Sequence, residues 1–426
     1  MTIRVGLCGT GTVGTGCIDI IQKHHDDFLS RYGIDLQLTR ICSRSSDVAE
    51  AHGLGSLFTS DYREVVSSDD VDLVIELFGG TGIAKDVITE ALHNGKHVVT
   101  ANKAVMASSG EEIAAFAHKS NLELGFGASV GGGIPIIGPL KHSLGANDIT
   151  SIIGIVNGTT NYMLTRMEAG LSYDEALKEA QDNGFAEADP TADVDGFDAA
   201  AKIAILAAIG FNVKITIDQV HTEGIRRLSA LDLSTAHDMG YAVKLLAITE
   251  RSAEGVVARV HPAMIPLDHQ LASVNGVYNA IYVTGDALGE AMFFGEGAGA
   301  GPAASAVMGD VVDIARRLEK GAPALGGYTV PDNCPVVDIS TLEMKYYLRF
   351  RVADRPGVLA KMATVFSEYG VSLQSVQQMG NKQRDDVNLV FITHSANEGK
   401  INDAIDEILS LDIVTGGAPS VIRVVD

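Results

Sequence analysis

Residues 184–210 read GFAEADPTADVDGFDAAAKIAILAAIG and set five carboxylates, Glu187, Asp189, Asp193, Asp195 and Asp198, around the entry of an apolar helix whose one lysine is Lys202. Asp198 and Lys202 stand four residues apart and share a helix face. Alanines and isoleucines surround Lys202, so its ammonium is partly desolvated, which lowers its pKa, while a neighbouring carboxylate raises it again. A lysine balanced between those effects can donate a proton near neutral pH. Simpler readings cover part of the pattern: Asp195 as N-cap of the helix, and Asp198 with Lys202 as a stabilising ion pair. They leave Glu187 and Asp189 unexplained, in a loop bounded by Gly184 and Pro190. Acids converging on one buried lysine suit a positively charged amino group as ligand.

A second chemical signal opens the chain. GLCGTGTVGTG carries Gly9, Gly11 and Gly14 in G-x-G-x-x-G order, after a strand-like run and at the start of a helical one. The first glycine permits a tight turn, the second a close approach of pyrophosphate, the third close helix packing. Thr12 and Val13 then stand where free backbone N–H groups and the helix dipole favour phosphate. The second strand ends ICSRSS, without the carboxylate that would bind a ribose hydroxyl. Arg44 there either pairs with a 2′-phosphate, which favours NADP over NAD, or is an exposed loop residue.

Elements follow from these anchors. Short, continuous apolar runs alternate with helical patterns through the first third, the signature of a doubly wound parallel sheet of Rossmann type. From Phe126 the texture changes, and TSIIGIVNG and YNAIYVTG read as strands of a second, α+β domain. In NGTTNYML, Asn157 or Thr159 caps a helix. A glycine loop before GPAASAVMGDVVDIARRLE opens a helix that returns to the first domain. After a Pro-bearing stretch, residues 346–426 show a βαββαβ order, a ferredoxin-like module. The expected division is 1–126 with about 303–330, then 127–302, a linker at 331–345, and 346–426.

Composition narrows the class. The 426 residues carry a net charge of −22 with no dense Lys/Arg cluster, which argues against nucleic acid as partner. Cys8, Cys17, Cys42 and Cys334 lack metal-type spacing. No apolar run reaches the roughly 20 residues of a membrane span, and strand-like sequence begins at once. A soluble cytoplasmic protein is expected.

Together, ADPTADVDGFDAAAK, TANK, SVGGGIPII, NGTTNYML and GEGAGAGPAASAV resemble homoserine dehydrogenase over about residues 3–340. DRPGVLAKM followed by YGVSL resembles an ACT domain, an amino-acid-sensing module. The resemblance implies NAD(P)H-dependent interconversion of L-aspartate 4-semialdehyde and L-homoserine, on the route to threonine, methionine and isoleucine. It makes Lys202 the proton donor and places Glu187, Asp193 and Asp198 at the substrate. Thr100 and Lys103 of TANK, with Gly184, Gly297 and Gly299, fall on the cofactor side, and Lys103 also faces substrate.

Two departures stand out. The family commonly has a Glu before ASVGGGIP, at a sodium site; Gly127 stands there, so a cation held by carbonyls of Val130, Gly132 and Ile134 should bind weakly or not at all. Ala303 replaces a family Thr. In the tail, the turn at Asp354 and Gly357, with Ser372, is the expected effector site, threonine being the candidate ligand. Removing residues beyond about 340 should spare catalysis and abolish threonine inhibition. A homodimer or homotetramer is expected. The rivals are a non-catalytic amino-acid sensor on a dehydrogenase scaffold, or another ACT-bearing dehydrogenase built on a His–carboxylate–Arg set, for which His221 and His237 are the histidines to consider.

Overall fold

The structure, a computed structural model, describes residues 1–322, 324, 334–380 and 385–425. Residues 331–333 of the expected linker lie outside the described residues.

Six strands, β1 (Thr2–Cys8), β2 (Asp35–Cys42), β3 (Phe58–Thr59), β4 (Leu73–Glu76), β5 (His97–Thr100) and β6 (Leu124–Gly125), form a parallel sheet in the order β3-β2-β1-β4-β5-β6. The order reverses between β1 and β4, the place where doubly wound sheets bind ligands at the carboxyl ends of their strands. All four residues of β4 are buried, as expected of a strand covered on both faces. Helix α1 (Thr12–Tyr32) follows the glycine loop, and α2 (Lys103–Lys119) follows β5.

The chain then builds α3 (Gly158–Glu168), α4 (Thr191–Val194), α5 (Phe197–Gly210) and α6 (Ala230–Asp238) around a second sheet. Its strands are β7 (Ile149–Ile155), β8 (His221–Thr222), β9 (Tyr241–Arg251), β10 (Val256–Pro266), β11 (Tyr278–Gly285) and β12 (Gly289–Glu296). Small alanines let α5 lie closely on β9 and β10, and every residue from Asp198 to Ala208 is buried. Helix α7 (Ala300–Glu319) returns to the first domain along α1; a side chain on Gly16 would come within 2.8 Å of Ala304. It begins three residues before the expected boundary at 303.

The tail consists of β13 (Glu343–Ala353), α8 (Val358–Glu368), β14 (Leu373–Gly380), β15 (Asp386–Thr393), β16 (Ala396–Asn397), α9 (Glu398–Ser410) and β17 (Ser420–Val424). Its strands are not a separate sheet. β17 pairs antiparallel with β13 and parallel with β10, so the order runs β12-β11-β7-β9-β10-β17-β13-β15-β14 among the described residues. The last strand of the module would otherwise present an open edge, and β10 covers it. The segment before β13 is pinned as well: Val256 N–H donates to the Pro335 carbonyl at 2.9 Å, and Val337 N–H to that of Val256 at 2.8 Å.

Charged side chains cross the same junction. The buried Arg423 of β17 holds Glu398 at 2.5 Å and Glu223, just past β8, at 2.7 Å. Arg349 of β13 reaches Asp232 of α6 at 2.6 Å, and Tyr347 donates to the same carboxylate at 3.0 Å.

Candidate active site

Helix α5 starts from Gly196, whose φ of 86° only glycine adopts readily; Thr222 and Val260 press within 3.1 and 3.2 Å of where a side chain would begin. Gly196 itself takes the N-cap position, so the expected cap by Asp195 is not made. The Asp195 carboxylate turns instead to Arg226, with contacts of 2.5 and 3.1 Å.

One turn further on, Lys202 Nζ donates to the Val156 carbonyl at 2.6 Å and to Asp198 Oδ2 at 2.7 Å. That uses two of its three protons. The side chain is 10% exposed, and burial depresses its pKa, an effect that Asp198 opposes and Lys103 adds to. Burial pushes the Asp198 carboxyl the other way, but Lys202 and Lys103 outweigh it and hold the group below the usual carboxylate range.

Lys103 arrives from the other domain. It is the first residue of α2, where Asn102 caps the helix by accepting from Val105 N–H at 3.1 Å. Its ammonium bonds Asp198 Oδ1. Asn157 completes the group: its Oδ1 caps α3 at Thr160 N–H, 2.9 Å away, and its amide donates to Asp193 at 2.7 Å and Asp198 at 2.9 Å. Only the capping role was legible in NGTTNYML. Thr159, the alternative cap, donates to the Phe185 carbonyl at 2.6 Å instead.

Of this group, Lys103, Asp193 and Asp198 line a cleft of about 550 Å³ together with Gly184, Glu187 and Asp189; Lys202 and Asn157 do not line it, and Lys202 meets it through Asp198. Glu187 is exposed, and Gly184, at φ 74°, turns the chain at the rim. The exposed rings of Phe185 and Phe197 add apolar surface.

The glycine loop fits a dinucleotide. Gly9 has φ 111°, and a side chain there would meet the Leu77 carbonyl at 2.9 Å. On Gly14 it would meet the Gly9 carbonyl at 1.9 Å, whereas Gly11 faces open space on the side where phosphate would approach. Thr12 and Val13 begin α1 with the fingerprint's free N–H groups. Thr10 donates to the Ser43 hydroxyl at 2.7 Å, tying the loop to the end of β2. Arg44 beside it is exposed and pairs with no described residue. Thr100 is buried at the end of β5, under the turn that leads to Lys103.

Comparison with known proteins agrees with this geometry. The homoserine dehydrogenase family model matches residues 135–312, its NAD-binding domain 9–126, and the ACT domain 346–412. A homoserine dehydrogenase of Synechocystis is 45% identical, with the whole of both chains covered. The chain belongs to the homoserine dehydrogenase family. The crystal structure of the Thiobacillus denitrificans homoserine dehydrogenase superposes with a TM-score of 0.94 at 38% identity, covering 100% of this chain and 99% of that one. An archaeal homoserine dehydrogenase mutant solved with NADPH gives 0.64 at 28% identity over 74% of this chain and 98% of that one. The family makes the chain an oxidoreductase that uses a nicotinamide cofactor.

The family's other sites fall as follows. The loops carrying Val130, Gly132 and Ile134 and carrying Gly297 and Gly299 press together: a side chain on Gly132 would lie 2.5 Å from the Gly297 carbonyl, and Gly133 N–H donates to Glu296 at 3.3 Å. Gly299, at φ 124°, precedes α7, which carries Ala303 in its first turn. Val130 and Ile134 are buried. At Gly127, where the resemblance leads to the expectation of Glu, the carboxylate of Asp310 from α7 accepts the backbone N–H at 2.6 Å and lies 3.0 Å from where a side chain would start. No local pattern marked Asp310. Among the described residues no cluster of three or more His, Cys, Asp or Glu could hold a metal.

In the tail, Gly357 takes φ 91° ahead of α8, and Asp354 accepts from Gln378 near the end of β14 at 3.4 Å. Ser372 precedes the start of β14, at the opposite end of that strand, so one chain does not bring all three together. His221 does pair with Glu223, at 2.7 Å, and Glu223 with Arg423, but at the junction with the tail and not in the cleft. His237 faces Glu168 at 3.4 Å on α6. Among the described residues no helix is long and apolar enough to cross a membrane.

Proposed function

We propose that Lys202 is the proton donor in the interconversion of L-aspartate 4-semialdehyde and L-homoserine. The observation that carries the reading is a buried ammonium with one unused N–H, kept charged by a carboxylate at 2.7 Å. The nicotinamide supplies or accepts the hydride when bound. Lys202 stabilises the developing alkoxide and protonates it. Glu187 and Asp193 at the cleft hold the substrate ammonium, while Asp198, fixed by Asn157, keeps Lys202 and Lys103 in place.

Lys202→Ala tests the reading in a spectrophotometric assay of homoserine oxidation. Loss of general acid–base help predicts a fall in kcat of about 10²–10⁴-fold with cofactor affinity retained. Full turnover in that variant would remove Lys202 from the proton-donor role.

Three finer readings belong with it. The absent acidic residue at the end of β2 and the unpaired Arg44 support NADP over NAD, and the relative solved with NADPH agrees. With Gly127 in place of Glu, a monovalent cation such as sodium would bind weakly if at all, held by the carbonyls of Val130, Gly132 and Ile134, with Asp310 the carboxylate at that loop. L-threonine is the candidate effector at the ACT domain, where Gly357, with Asp354 in the turn before it, caps an eleven-residue helix whose N-terminus suits a carboxylate. The exposed edge strand β14 supports pairing of two such modules in a homodimer or homotetramer.

A further inference from the structure

Glu76 is fully buried at the end of β4, the one charged residue in the run Leu73–Glu76. It lies outside both the cleft and the glycine loop. In register it stands between Cys8 at the end of β1 and Thr100 at the end of β5. Its Oε1 accepts the Phe78 N–H at 2.6 Å and its Oε2 the Thr100 hydroxyl at 2.6 Å. The Thr100 oxygen in turn accepts Asn102 N–H at 2.9 Å. Asn102 closes the ring, donating from its side chain to the Phe78 and Gly80 carbonyls at 3.2 and 2.7 Å while capping α2.

We infer that Glu76 is a positioning residue for the reaction: it ties the loop after β4 to the turn after β5 and so fixes the helix start from which Lys103 reaches Asp198. The inference rests on the reading of Lys103, Asp198 and Lys202 as the reacting site. Packing alone does not account for this residue. A carboxylate buried without a cationic partner is costly, and an apolar side chain would fill the strand as well. No Lys, Arg or His among the described residues pairs with it; the titratable neighbour is the Cys8 thiol, β5 offers the Thr100 hydroxyl, and the loop after β4 offers the Phe78 amide.

Burial pushes the Glu76 carboxyl up to about 7, against the pull of Thr100 and Phe78. Both bonds are donated to the group, so protonation turns the Thr100 bond around and costs the tie its charge assistance. Activity should therefore fall as pH drops through about 7.

The test uses the full chain with E76Q, T100V and K103A, measuring kcat/KM for homoserine from pH 6 to 9, NADP affinity by displacement of fluorescent NADPH, and thermal stability. A glutamine presents one N–H₂ where two acceptors are needed. E76Q should lower kcat/KM about tenfold at pH 8, the loss of one charge-assisted hydrogen bond. It should also abolish the acid limb near neutral pH and leave NADP affinity within about threefold. T100V, which cuts the same tie, should fall comparably, and it decides the matter if E76Q does not fold. E76Q within twofold of the parent at every pH overturns the inference, as does a loss matched by equal losses of cofactor affinity and stability. K103A separates the two levels: near-parental activity there defeats the reading of the cleft, whereas an impaired K103A beside a normal E76Q defeats this inference alone.

Discussion

Lys103 and Lys202 come from different domains and bond opposite oxygens of one carboxylate, that of Asp198. A single anion thus joins the nucleotide-binding domain to helix α5 and opposes the depression of Lys202, the proposed proton donor.

Asp198→Asn should move the pH dependence in a defined direction. Burial already depresses Lys202, and the carboxylate opposes that depression. Without it, Lys202 loses its proton at lower pH, so the alkaline fall in aldehyde reduction shifts to lower pH. The maximal rate should drop by about 10² or more, as expected when a buried charged group loses its partner. A pH–rate profile unchanged in position would refute the coupling.

Arg44→Ala should discriminate between cofactors. Losing a charge-assisted contact to phosphate costs about 1.5–3 kcal/mol, or roughly 10- to 150-fold in affinity for NADP. NAD, lacking that phosphate, should bind within about twofold of the parent. Titration with both cofactors reads the difference directly.

Gly127→Glu restores the family residue, yet should not restore the family's site by itself. The new side chain would start 3.0 Å from the Asp310 carboxylate and bring a second negative charge toward it. Destabilisation of about 1–3 kcal/mol is expected from overpacking and repulsion. Pairing the change with Asp310→Asn should recover most of that loss in a thermal melt and raise any response to sodium. A single variant as stable as the parent would show that Asp310 yields the space freely.

Arg423→Met leaves the buried Glu398 without its cation, at an expected cost of about 3–5 kcal/mol in denaturant unfolding. Glu223, held below its ordinary value by His221 and Arg423 against the effect of burial, adds a pH signature. A depressed carboxyl stabilises above its unfolded value of 4.5, and that contribution is lost as pH falls through the lower folded value. The junction should therefore hold from neutral pH to about 4.5 and weaken below it; equal acid sensitivity in Glu223→Gln and the parent would contradict this.

Much of this arrangement was legible because its signals are local. The glycine spacing at Gly9, Gly11 and Gly14 is dictated by one turn, and Lys202 with Asp198 by one helical repeat. The tail's βαββαβ order follows from short alternating runs. What escaped is nonlocal. Asn157 reads as a cap because its second set of partners, Asp193 and Asp198, comes from a later loop and helix. Asp310 lies inside an ordinary amphipathic helix and acquires meaning only where α7 crosses Gly127. Glu76 ends an apolar strand, and no periodicity says that the neighbouring strand ends in a hydroxyl. Asp195 misled for the opposite reason: capping chemistry was right for its type, but Gly196 took the position and a distant arginine took the carboxylate.

The ladder between β10 and β17 alters how the proposed effector response should be dissected. Truncation near residue 340 would strip β10 of its neighbour and leave Glu223 and Asp232 without their arginines. Such a shortened chain would sample sticky, half-open states, and silence from it would say nothing about effector sensing. Point changes in the turn before α8, made in the intact polypeptide, are the cleaner instrument.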